Sequence, residues 1–256
     1  RLLVQQPTYI DHMVAIAIDS YALEAVQHAA AEPLDASAAE RLRNKIEFMN
    51  PMPTPTHAID EAERYSALGA TFTFRKATDK YWGFSFFPIN YDASLQRVNA
   101  MFDRCVRAFN LPTAPQRRDA MIQLKKDVDD QFENAGTLYR LSHMEGFFLA
   151  ILFPSLSKSD DLQTALLVDR DLALTALALR QAKARDGIFP ATLAKLNIPG
   201  FTPPPDRFIE KPLVYKRQGG GYLLYSVGRD LEDNGGQPRS EKAPSDKWDI
   251  VQTVSK

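Results

Sequence analysis

The residues best able to do chemistry lie near the C-terminus. Ser226-Val-Gly-Arg-Asp230-Leu-Glu-Asp-Asn-Gly-Gly236 is followed by Ser245-Asp246-Lys-Trp-Asp249-Ile250. From Asp230 to Asp249 the acids Asp230, Glu232, Asp233, Glu241, Asp246 and Asp249 face only Arg239, Lys242 and Lys247, a local balance of −3. Carboxylates, backbone carbonyls and glycines in one loop of this length suit a hard cation. Calcium takes six to eight oxygens in forgiving geometry, whereas magnesium holds to a strict octahedron and keeps more water. Counted as an EF-hand, Asp230, Glu232, Asn234, Gly235 and Glu241 take positions 1, 3, 5, 6 and 12. The context departs from that motif, because a strand pattern and not a helix precedes the loop. A solvated acidic loop that binds nothing specific is the alternative.

Other constellations are weaker. His12, His28, His57 and His143 are scattered, and His143-Met-Glu145 has no second histidine one helical turn away. Asp127, Asp129, Asp130 and Glu133 have the spacing of a solvated helix face, and nothing nearby in sequence would raise a carboxylate pKa. A hydrolase using Asp129, Asp130, Glu133, His143 and Glu145 is the rival account, and a pocket lined by the aromatic run Tyr81–Phe87 is a third. No nucleophile elbow, phosphate-binding glycine loop or dinucleotide fingerprint is present. Cys105 falls on an apolar stripe, which points to a buried, inert thiol. Being single, it forms no intrachain disulfide.

The elements that must hold these groups follow from hydrophobic period. Helices are predicted over Thr8–Ala31, Ala36–Met49, Ile59 toward Lys76, Asp92–Phe109 and Gln116–Ser142. Three prolines between Asn50 and Thr56 make an extended connector. The apolar run Met144–Phe153 is too short to span a bilayer. Pro154 and Ser155-Leu-Ser-Lys-Ser159 mark a boundary, so an α-helical domain over 1–157 is expected, followed by a second domain over 158–256. In the latter a helix runs from Asp160 or Asp161 to Ala184 and stops at Asp186-Gly187. A short helix follows over Pro190–Leu196. Strands Leu213–Arg217 and Tyr222–Ser226 then form a hairpin whose glycines supply positive φ. The fold class is α+β.

Composition agrees with a globular chain: 256 residues, 45% apolar and 25% charged. With 31 basic against 32 acidic residues there is no charge excess to support nucleic-acid binding.

The order Ala178-Leu-Arg-Gln-Ala-Lys-Ala-Arg-Asp-Gly-Ile-Phe-Pro190, Leu213-Val-Tyr215, Gly221-Tyr-Leu-Leu-Tyr-Ser-Val-Gly-Arg-Asp230, Gly235-Gly236 and Asp249-Ile250 resembles the major pseudopilins of type II secretion systems. In that family a helix ending in Gly-x-Tyr/Phe-Pro leads to a β-hairpin and then to a calcium-holding loop. The resemblance covers roughly residues 160 to 256. It implies that Asp230 and Asp249 supply carboxylates and Val227 a backbone carbonyl, with Asp246 or Asp233 completing the shell in the loop 227–250. Here Asp206-Arg-Phe-Ile-Glu-Lys-Pro212 keeps the family's Asp, an aromatic and the Pro before the hairpin but lacks its glycine. A long helical segment stands ahead of the module, which suggests a pseudopilin-like unit reused on a different protein. The resemblance implies a non-enzymatic, periplasmic or extracellular scaffold with a structural calcium ion and a protein partner. Membrane contact would come only through an anchor ahead of Arg1.

Overall fold

The computed structural model describes residues 8–49, 51–80, 90–133, 135–136, 139, 143–238 and 247–254. The aromatic segment 81–88 and Asp246 lie outside the described residues. Among the described residues six long helices, a few short helical turns and two small antiparallel sheets make an α+β fold. The helices are α1 (Tyr9–Ala31), α2 (Ala36–Phe48), α3 (Arg64–Lys80), α4 (Tyr91–Phe109), α5 (Ala114–Glu133) and α6 (Met144–Asp186). Strands β1 (Pro205–Asp206) and β2 (Lys211–Pro212) pair with each other, and β3 (Val214–Gln218), β4 (Gly221–Ser226) and β5 (Ile250–Val254) form the second sheet in that order. Among the described residues no helix is long and apolar enough to cross a membrane.

Local chemistry sets the helix ends. The Asp35 carboxylate accepts from Ala38 N at 2.7 Å and starts α2, and the Asn90 side chain accepts from Ala93 N at 3.0 Å to start α4. Thr113 and Gln116 exchange side-chain to backbone bonds at 3.4 Å, a capping box ahead of α5. At the end of α6, Gly187 takes φ +78° and donates to Lys183 O at 2.8 Å, as expected where a helix closes on a left-handed residue.

Two compact units are present, one of residues 1–15 and 53–160, the other of 16–52 and 161–256. The chain changes unit three times, at 15/16, 52/53 and 160/161, so most of α1 and all of α2 group with the C-terminal residues.

In the first unit α4 presents Val98, Met101, Phe102, Cys105 and Phe109 to Met121, Leu124 and Val128 of α5. Ile59, Ala67 and Leu156 complete this core. Cys105 is fully buried, and burial pushes its thiol up to about 11. The thiol therefore stays protonated and inert at neutral pH. Arg64 ties the elements laterally through Asn99 Oδ1 at 2.6 Å and Asp103 Oδ1 at 2.7 Å. Arg117 Nε pairs with Asp160 Oδ1 at 2.6 Å, and both residues are buried. Pro154 does not interrupt α6 as the sequence suggests, for the helix runs on through it. The neighbouring turns are anchored by buried Leu156 and by the Asp160 ion pair, which offset the one amide donor that proline removes.

In the second unit residues 171–182 of α6 are buried without interruption. Two arginines on this helix cap other helices. Arg180 Nε donates to Ala30 O at 2.7 Å and its Nη2 to Ala31 O, closing α1. Arg170 Nη2 donates to Ile46 O at 3.1 Å and Met49 O at 3.3 Å, closing α2. Terminal carbonyls have no partner within their own helix and sit at the negative end of its dipole, so each guanidinium satisfies both needs. β4 is central in its sheet and buried along its whole length. The two-residue turn Gly219-Gly220 joins it to β3, with Gly219 at φ +55°. The third strand, β5, is an addition to the predicted hairpin.

Asp169 of α6 accepts from Gln27 Nε2 at 3.3 Å, and burial, with Glu24 adding, pushes its carboxyl up to about 6. A carboxyl raised in the folded state binds its proton more tightly there than in the unfolded chain. Its favourable contribution is complete below pH 4 and is lost as pH rises to 6 and beyond. Asp169→Asn is therefore expected to stabilise the protein by about 2 kcal/mol at pH 7.5 and by almost nothing at pH 4. Urea unfolding at the two pH values measures this, and an equal gain at both would contradict it.

Candidate metal loop

The loop joining β4 to β5 is fastened first at its entry. Val227 N donates to Asp206 Oδ2 at 2.9 Å, and Gly228 N to Ser226 Oγ at 3.2 Å. Gly228 has φ +73°, and a Cβ there would lie 2.8 Å from the Trp248 carbonyl oxygen, so only glycine fits where the two ends of the loop pass.

Each described acid of the expected set then takes a distinct role. Asp230 Oδ1 accepts from Glu232 N at 3.2 Å, a local turn, and its Oδ2 accepts from Asn234 Nδ2 at 2.8 Å. Asp233 Oδ1 accepts from the Tyr225 hydroxyl at 2.8 Å and from Gly235 N at 2.9 Å. Asp249 is buried. Its Oδ1 accepts from Asn234 N at 3.3 Å, and its Oδ2 from Gly236 N at 2.7 Å and Gln237 N at 3.1 Å. Asp249 N returns a bond to Gln237 O at 2.8 Å, beside a parallel bridge between Pro238 and Asp249. Asn234 thus holds two carboxylates at once, Asp230 through its side chain and Asp249 through its backbone.

Electrostatics separates the acids. The Tyr225 hydroxyl, then the Gly235 amide, holds the Asp233 carboxyl below its ordinary range. Burial raises Asp249, three backbone amides oppose that, and the Asp233 charge adds to it. The Tyr225 hydroxyl is pushed up, first by burial and then by its bond to Asp233.

The donor chemistry fits a hard cation. Every side-chain ligand candidate is a carboxylate, and an oxygen that accepts one hydrogen bond keeps a second lone pair. Both oxygens of Asp230 and Oδ1 of Asp249 are in that state. Among the described residues, however, no three His, Cys, Asp or Glu side chains gather closely enough to share an ion. Each described carboxylate of the set accepts N–H groups of the loop, and Asp233 the Tyr225 hydroxyl as well, a use that spacing alone did not reveal. Neither a family model, nor a curated protein, nor a solved structure matches this chain.

Among the described residues the groups of the rival enzyme do not gather either. Asp129 pairs with Lys125, and Asp127 pairs with Arg104 and accepts from Gln123 Nε2 at 2.6 Å, all at helical or cross-helix spacing. The Asp127 carboxyl is lowered by the Gln123 bond and then by Arg104, the opposite of what a general acid needs. His28 and His57 lie exposed beside Glu24 and Glu61 one turn away. His143 stacks on Tyr139 with ring centroids 3.6 Å apart, its Nδ1 2.8 Å from Tyr139 O. Glu133 is exposed, and the Glu145 side chain lies outside the described residues. α5 ends at Glu133, short of the expected Ser142.

Two residues bear on the loop without having been singled out as functional. Asp206 accepts from Phe208 N at 2.9 Å as well as from Val227 N. An aspartate bonding the amide two residues on is a turn signal legible in sequence; its second bond, across to Val227, is not. Asp171 of α6 takes a two-pronged bond from Arg207, Nε to Oδ2 at 2.5 Å and Nη2 to Oδ1 at 3.2 Å, fixing the β1–β2 turn to the long helix.

Proposed function

We propose that the chain is a non-catalytic extracytoplasmic scaffold or protein-interaction protein, connected with a secretion or pilus-like system. Its C-terminal module is pseudopilin-like and takes a structural calcium ion in the loop 227–250. The observation that carries the reading is the common anchoring of Asp230 and Asp249 on Asn234, with Asp233 near enough to Asp249 to raise its pKa. Asp230 and Asp249, with the Val227 carbonyl, would hold the ion, and Asp246 or Asp233 would complete the shell as the loop closes on it, since the described carboxylates are not gathered without it. Bound there, calcium would supply positive charge where amide dipoles now balance the acids. Extracytoplasmic calcium levels suit a weak site of this kind.

Thermal unfolding in calcium, in magnesium and after chelation tests the reading. At calcium about a hundredfold above Kd, the transition that reports the C-terminal unit is expected to rise by roughly 5–10 °C. Magnesium should give much less, and Asp230→Ala should remove the calcium response. Midpoints identical under all three conditions would eliminate the ion.

A further inference from the structure

The three-stranded sheet has two edges of different character. β3 ends in exposed Lys216, Arg217 and Gln218, and charge on an edge resists pairing with another chain. β5, Ile-Val-Gln-Thr-Val, has no charged residue and is β-branched at every position but Gln252. Among the described residues β5 pairs with β4 alone, and Thr253 is exposed. An uncharged edge of high strand propensity is a template for one more strand.

Beside this edge lies a groove of about 290 Å³ between β5 and the last turns of α1. Glu24, Gln27 and His28 line one side, Val251, Gln252 and Thr253 the other. Gln252 Nε2 donates to Gln27 O at 3.0 Å, which fixes the strand to the helix. The groove is acidic: Glu24 is exposed, Asp169 stands behind Gln27 and feels the Glu24 charge, and no Lys or Arg is among its described lining residues.

We propose that β5 and this groove dock an extended segment of a protein partner by strand addition, with a Lys or Arg of that segment set against Glu24. Main-chain bonds to the β5 edge supply affinity, and the acidic groove selects the side chain. A second copy of this chain fits less well, because antiparallel pairing of two β5 edges brings a second Glu24 to the same face of the joined sheet. The inference rests on the interaction half of the proposed function and not on calcium.

Fluorescence anisotropy on the full chain in EDTA tests it with three labelled heptapeptides. One alternates Val and Lys, one alternates Val and Glu, and the third is the Val/Lys peptide N-methylated throughout, which keeps the charge and removes the ladder donors. The Val/Lys peptide is expected to bind, the others at least about tenfold more weakly. Glu24→Lys should weaken the Val/Lys peptide by about tenfold or more with unchanged circular dichroism and melting temperature. Equal binding of all three peptides, indifference to Glu24→Lys, or no binding at about 1 mM would overturn the proposal. So would a concentration-dependent dimer that Thr253→Lys dissolves, which would give the edge to a second copy. With EDTA present, loss of the calcium reading leaves this result untouched, and failure here leaves the calcium melting shift standing.

Discussion

Asp206→Ala is expected to lower the unfolding free energy of the C-terminal unit by about 3–5 kcal/mol. The carboxylate is almost wholly buried and accepts two backbone amides, Phe208 N at 2.9 Å and Val227 N at 2.9 Å. Alanine leaves both donors without an acceptor in a water-poor site, and bonds to a charged group are each worth roughly 1.5–3 kcal/mol. Asparagine is a poor substitute, because its amide nitrogen would face one of the two N–H groups. Asp206→Asn should therefore cost nearly as much as alanine, whereas a surface carboxylate tolerates that exchange. Urea unfolding monitored by the fluorescence of Trp248, at the far end of the loop, measures both variants. An asparagine variant as stable as the parent would show that only one of the two bonds matters.

The second large effect is expected at Arg207. Its partner Asp171 is buried, while Arg207 itself is about one-third exposed. Burial raises the Asp171 carboxyl, Arg207 and Arg170 oppose the rise, and Asp206 adds to it. Removing the guanidinium leaves an uncompensated buried charge, so Arg207→Ala should cost about 2–3 kcal/mol at pH 7. The pH dependence has a definite sign. A carboxyl raised in the folded state favours folding below its unfolded pKa, and that advantage is lost as pH rises through the folded value. Without Arg207 the folded value climbs further, so the variant's deficit is expected to be small at pH 4 and to grow toward pH 7. Arg207→Ala combined with Asp171→Leu removes the charge together with its partner and should recover most of the loss at pH 7. A deficit independent of pH and untouched by the second substitution would mean that Arg207 acts through packing alone.

Much of the local architecture was legible because it depends on residues a few positions apart. The apolar stripe Val98, Phe102, Cys105 and Phe109 requires a helix with one buried face, and that face is the core of the first unit. Gly187 ends α6 and Gly219 turns the hairpin, both at positive φ, which glycine adopts without strain. Pro154 misled for the same local reason: proline lowers helix propensity, but the core on which Leu156 packs and the Arg117 that pairs with Asp160 come from distant parts of the sequence. β5 was missed because, unlike β3 and β4, it has no glycine turn and partner run beside it in sequence to mark a hairpin.

By itself the sequence determined an α+β chain with a long helix and a C-terminal hairpin, and it placed the acids of the terminal loop close together along the chain. Only the tertiary structure decided what the described acids do. Asp249 is buried against amides twelve to fifteen residues away, Asp206 reaches a strand end twenty-one residues on, and Asp171 waits for Arg207. A carboxylate's energy is set by whether water, an N–H group or an opposite charge faces it, and those neighbours come from segments that meet only when the chain is folded.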